Sequence, residues 1–139
     1  MQELAGEIAV VSGGGSGIGL ACARALTAAG CHVVVLGRRA EPIEAAVAAG
    51  AAAEALLGDA TAPPALPAAS ILVNAAGAAA SAPFLRGSDE DFRRAFEANV
   101  MTAVAMTRAL LPGMVARGRG RVVNVASTAA LKGYAYVTP

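Results

Sequence analysis

Two rhythms of apolar residues alternate along this chain. Short unbroken apolar runs end in glycine or polar clusters, and longer Ala-rich stretches lie between them. Residues 8–12 form a β-branched run closed by glycines and predict a first strand. Residues 20–29 predict a helix that stops at Gly30, a residue suited to a helix C-terminus. Residues 31–36 are continuously apolar around Val33, Val34 and Val35, as expected of a parallel-sheet strand covered on both faces. A second helix is expected over 41–49 with Gly50 as its stop, a weak third strand over 53–57, and a fourth over 71–73. Ser88-Asp89-Glu90-Asp91 puts a capping acceptor and three acids at the start of the strongest helix, where they offset the helix dipole. That helix is expected over 89–111, bent near its end by Pro112. Gly118 and Gly120 then make a turn into a fifth strand over 121–126. Strands alternating with helices imply right-handed βαβ units and an α/β, doubly wound parallel sheet in one domain over 1–139.

Composition narrows the function classes. Hydrophobic residues make up 56% of the chain and aromatics only 4%, so a packed core would be built from Ala, Val, Leu and Ile. Net charge is +1 with no long charge run, which gives no reason to expect nucleic acid or an anionic membrane as partner. No stretch of eighteen or so uninterrupted apolar residues is present, and the N-terminus lacks the pattern of a signal peptide. Cys22 and Cys31 have no metal-type spacing and read as small buried residues of a reducing compartment, so a cytoplasmic location and no metal are expected. His32, the one histidine, is expected to be a packing residue.

The chemistry starts at the turn after the first strand, Ser12-Gly13-Gly14-Gly15-Ser16-Gly17-Ile18-Gly19. Glycines let the backbone turn tightly and approach a pyrophosphate, while the following helix N-terminus points N–H groups at it. No Lys-Ser or Lys-Thr follows, which excludes a P-loop, and the spaced G-x-G-x-x-G of longer Rossmann enzymes finds no register here. The pattern is a hydroxyl residue, Gly13, three residues, Gly17, one residue, Gly19. In this it resembles the cofactor loop of the short-chain dehydrogenase/reductase family, with Ser12 where the family usually has Thr. Further segments match the family in order and cover essentially the whole chain. Asp59, followed by Ala60, stands where the family's aspartate contacts the adenine. Asn74-Ala75-Ala76-Gly77 resembles N-N-A-G, although Ala75 offers no side chain to the cofactor ribose. Asn99 matches the family's structural and proton-relay asparagine, and Ser127, after Val122-Val123-Asn124-Val125-Ala126, its catalytic serine.

The resemblance implies a Rossmann-like oxidoreductase that moves a hydride between a nicotinamide dinucleotide and a carbonyl or secondary alcohol. It also implies assembly as a homodimer or homotetramer through the long helix after Ser88. At the end of strand two, Gly37-Arg38-Arg39 replaces the acid of NAD enzymes with two guanidinium groups suited to a 2′-phosphate. NADP(H) is therefore expected over NAD(H), the other reading being an ordinary basic loop.

Two departures qualify this. The family's tyrosine general acid/base would fall immediately after Pro139, with its lysine four residues on, so the sheet is expected to be truncated after strand five and the polypeptide to continue. Tyr134, Tyr136 and Lys132 are read as loop residues at the site entrance. If the chain truly ends there, the rival reading is a catalytically inactive NADP(H)-binding module or scaffold. Secondly, residues 60–69 are rich in Ala and Pro and too short for the family's helix, so a loop is expected there.

Overall fold

The computed structural model describes residues 4–132. Strands β1 (Ile8–Ser12), β2 (His32–Gly37), β3 (Glu54–Leu57), β4 (Ile71–Asn74) and β5 (Arg121–Asn124) form one sheet in the order β3-β2-β1-β4-β5. Every pairing is parallel, with Ala9 beside both Val33 and Ile71. The helices are α1 (Gly17–Ala28), α2 (Ala40–Ala48), α3 (Asp89–Phe96) and α4 (Thr102–Ala116), the last two joined by a π-helical turn over Glu97–Met101. The chain runs outward from β1 to β3, then returns to lay β4 on the other side of β1. Loops above β1 and β4 therefore diverge, and the crevice between them is where open α/β sheets bind ligands.

Alternation along each strand divides the core into two layers. Ala9, Val11, Val33, Val35 and Val73 face α1 and α2, meeting Ala23, Ile43 and Ala46. Val10, Val34, Leu36 and Leu72 face the other way, onto Met106, Leu110 and Met114 of α4. Small residues on α1 and α2 let these helices lie close to the sheet, as the Ala-rich composition implied. The β3–β4 connection forms no helix. Ala60, Leu66 and Ala69 cover that end of the sheet instead, and Leu57 is left 60% exposed.

Several boundaries differ from the sequence reading. Helix α1 begins at Gly17, three residues early, because its first turn is built from the glycine loop. Pro112 does not end α4, which continues to Ala116. Pro112 lies on the exposed side, where the carbonyl it leaves unbonded can meet solvent. Strand β5 stops at Asn124. His32 is not a packing residue: it is exposed, and Nε2 lies 2.7 Å from Glu54 Oε1 on the neighbouring strand. Cys31 is buried and Cys22 half-buried. Burial, and then the nearby Glu7 carboxylate, push the Cys31 thiol pKa up.

The run Asp89–Ala116 is long and apolar enough to cross a membrane by length and composition. Within it, one face of α4 packs on the sheet, with Thr102, Met106, Leu110 and Met114 buried, while α3 buries no residue. At the amino end of the sheet, Glu7 accepts from Ser70 Oγ and pairs with Arg119 at 2.9 Å, while Arg117 donates to the Ala69 carbonyl at 2.7 Å. These contacts tie the α4–β5 turn to the bottom of the sheet, opposite the site.

Candidate functional site

A cleft of about 1160 Å³ opens above the carboxyl ends of β1, β2, β3 and β4. The glycine loop forms its floor. Gly17 has φ +52, which a side chain would disfavour. A Cβ on Gly19 would collide with the Gly13 carbonyl, so α1 can start this close to β1 only with glycine there. Ser16 precedes α1 as an extended N-cap, but its side chain makes no capping bond, and no acid lies in the first turn. The contrast with α3 is informative. There Ser88 and Asp91 cap each other's backbone, and Asp89, Glu90 and Asp91 neutralise the dipole. Helix α3 has satisfied its own N-terminus. Helix α1 leaves its first N–H groups and positive end to whatever enters the cleft, an arrangement that selects an anion.

Arg38 and Arg39 line the same cleft at the end of β2, as do Asp59 and Ala60 after β3. Asp59 Oδ1 accepts from Thr61 N at 2.8 Å and from Thr61 Oγ at 2.8 Å. The backbone bond, then the hydroxyl bond, and more weakly the Arg38 charge, hold the Asp59 carboxyl below its ordinary pKa despite some desolvation. Ala75 and Gly77 line the cleft after β4, with Gly13, Gly15, Ser16, Gly17, Ile18 and Gly19 opposite.

Four residues singled out in the sequence, Ser12, Asn74, Asn99 and Ser127, are not among those that line the cleft. Ser12 is 1% exposed. Its Oγ accepts from Ala75 N and Ala76 N, each at 3.2 Å, and so fixes the turn after β4 against β1. Asn74 is also buried and donates to Asn124 Oδ1 at 2.8 Å across the β4–β5 pair, while its own Oδ1 has no partner among the described residues. Asn99 sits in the π-helical turn, where the ladder shifts away from i−4 partners. Its amide takes its own i−4 carbonyl, Ala95, at 2.9 Å. The same side chain clamps Ala78, donating to its carbonyl at 2.8 Å and accepting from its N–H at 3.1 Å. Ser127 is exposed just past Val125, a cleft residue, and its Oγ accepts from Ala129 N at 3.1 Å. Lys132 is exposed and outside the cleft lining, and Tyr134 and Tyr136 lie outside the described residues.

The sequence reading missed one wall and one ligating turn. Asp91, Arg94, Ala98 and Thr102 close the cleft from α3 and α4. No sequence signal marks them, since their role depends on how the long helix docks. Thr61 was visible as a hydroxyl residue two positions after an aspartate, the spacing of a side-chain turn.

Comparison with known proteins places this geometry. A sequence model described as short chain dehydrogenase matches residues 7–139. The ketoacyl reductase HetN of a Nostoc species is 33% identical over 98% of this chain and 53% of its own length. Galactitol 2-dehydrogenase (L-tagatose-forming) of Cereibacter sphaeroides is 38% identical over 90% of this chain and 54% of its own. Among solved structures, the L-sorbose reductase of Gluconobacter frateurii, complexed with NADPH and L-sorbose, superposes with a TM-score of 0.89. It is 30% identical and covers 99% of this chain and 59% of that one. The chain thus spans about half the length of the curated relatives it matches.

Proposed function

The chain belongs to the short-chain dehydrogenase/reductase family, and from that premise we propose that it carries the cofactor half of an NADP(H)-dependent oxidoreductase acting on a small carbonyl or secondary alcohol. The observation that carries the proposal is the uncapped start of α1 in a glycine loop that opens into the cleft. A dinucleotide's pyrophosphate is the anion that this floor fits, with Arg38 and Arg39 on the side where a ribose 2′-phosphate would lie. Asp59 would meet the adenine, and the turn from Asn74 to Gly77 would bound the nicotinamide end. The bound dinucleotide supplies the hydride or takes it up. Asn99 does not need to touch it: by clamping Ala78 it holds the loop beyond Gly77 against the helix. The Ser127 hydroxyl uses an oxygen lone pair for Ala129 N and keeps its own proton to donate to a substrate oxygen. Charge that develops on that oxygen during hydride transfer would be stabilised there.

The names of the relatives, reductases and dehydrogenases, favour turnover over a silent binding module. Exposed Phe96, Val100, Leu111 and Val115, running from α3 through the π-helical turn into α4, support a homo-oligomer formed through this helix. The test is cofactor titration by fluorescence with wild type and with Arg38→Ala/Arg39→Ala. Losing two charge-assisted contacts should weaken NADPH by about 10- to 100-fold and leave NADH nearly unchanged. A wild-type ratio of the two dissociation constants near one sinks the NADP(H) preference.

A further inference from the structure

The short β3–β4 connection carries a feature that the cofactor reading does not use. Thr61 spends both its N–H and its hydroxyl on a single oxygen, Asp59 Oδ1, at 2.8 Å each. The Ala62 N–H closes the same turn on the Asp59 carbonyl at 3.2 Å. Gly58, on the other side of Asp59, is packed so tightly against Pro64 that a Cβ there would come within 2.7 Å of the ring. The carboxylate is thereby pinned at one oxygen, by a turn that is itself braced by proline. Gly58, Asp59, Ala60 and Thr61 all line the cleft, together with Arg38.

We propose that Thr61 is a positioning residue for base recognition, turning Asp59 so that its second oxygen, Oδ2, accepts from the exocyclic amine of an adenine. The inference rests on the reading of the cleft as a dinucleotide site and adds to it the residue that sets base specificity. A carboxylate with one oxygen fully engaged has one oxygen left to accept, and it cannot rotate freely to trade them. It attracts a base with an amine at that position. It repels one with a carbonyl there, because two acceptors would then face each other. The two bonds to Oδ1 also favour the ionised form, so the carboxylate remains an acceptor rather than a donor.

The experiment measures dissociation constants of NADPH and of its hypoxanthine analogue, in which a carbonyl replaces the exocyclic amine. The full-length protein is compared as wild type, Thr61→Val and Thr61→Ser. Wild type should prefer NADPH over the analogue by about tenfold or more, the scale of a hydrogen bond to a charged group. Thr61→Val loses the hydroxyl bond and keeps the backbone one, so it should reduce that preference severalfold, chiefly by weakening NADPH, and Thr61→Ser should restore it. The proposal is overturned if Thr61→Val keeps the wild-type preference, or if it weakens both cofactors equally, which would mark a merely structural turn. Failure of wild type to bind either cofactor saturably would overturn the dinucleotide reading itself and Thr61's role with it. A wild type that binds both equally well would overturn the Thr61 inference alone.

Discussion

Removing one oxygen at Ser12 tests how the cleft is held together. In Ser12→Ala the side chain stays small and the backbone unchanged, so neither strain nor a large cavity follows. What goes is the acceptor for two backbone N–H groups. They fare differently. Ala75 N also reaches the Ser12 carbonyl at 3.2 Å and keeps that bond. Ala76 N loses its acceptor in a half-buried turn. One stranded donor costs about 1–3 kcal/mol, and partial access to water puts the expected loss in the lower half of that range. The assay is urea unfolding, in which the midpoint should fall while the slope stays the same. Ser12→Thr keeps the oxygen and should lie nearer to wild type. NADPH should bind Ser12→Ala several-fold more weakly, because the loosened turn carries Ala75 and Gly77 into the cleft. A Ser12→Ala protein within about 0.3 kcal/mol of wild type, inside the usual range for inert surface changes, would refute the reasoning.

Two other perturbations probe the glycine floor and the helix opposite it. Gly19→Ala drives a methyl into the Gly13 carbonyl, so NADPH binding should be abolished and the unfolding midpoint lowered, as shown by titration and urea denaturation; unchanged binding would mean that the loop can relax. Hydrogen bonds from the Ser88 hydroxyl and backbone, then Arg94, hold Asp91 at a pKa of about 2, below its ordinary 3.8. A lowered carboxyl pKa stabilises the fold above the unfolded value, and that contribution is lost as pH falls through the folded one. An NMR titration of Asp91 should therefore remain flat down to pH 3 or so, and Ser88→Ala should move its midpoint upward; a midpoint already near 3.8 would show that the capping box is not formed.

The parts of the fold that could be read in the sequence were those where one local rule decides the outcome. Strands β1, β2 and β4 are short apolar runs bounded by glycine or polar residues, and Ser88 with Asp91 announces the start of α3. The glycine spacing from Ser12 to Gly19 pointed to the tight β1–α1 junction that the structure has, where a Cβ on Gly19 would meet the Gly13 carbonyl. What escaped depended on neighbours. The π-helical turn over Glu97–Met101 changes the ladder by one residue, too little to disturb an apolar period. His32 sits in an apolar run, yet it is the first residue of β2 and is exposed, with its side chain reaching Glu54 two positions off in the β2–β3 register. Ser12 and Asn74, read from the sequence as cofactor contacts, are buried, and their side chains bond to the Ala75 and Ala76 N–H groups and to Asn124. That distinction lies in which way a strand's last side chain points, and the sequence motif is the same either way.

The order of the strands has a consequence for how the protein comes into being. Because every pair in the sheet is parallel, no two strands can zip together across a tight hairpin, and each pairing waits for a crossover. The longest wait falls at the centre. The Ser12 hydroxyl meets the turn after β4 across a separation of 63 residues. As the chain emerges from the ribosome, β1, α1 and β2 can assemble early, with the glycine loop already in place. That loop has no opposite wall until β4 arrives. Nascent chains that end before β4 should therefore be blind to the dinucleotide, and a ligand present during synthesis could act only as a late clasp, speeding the closing of the sheet rather than seeding it.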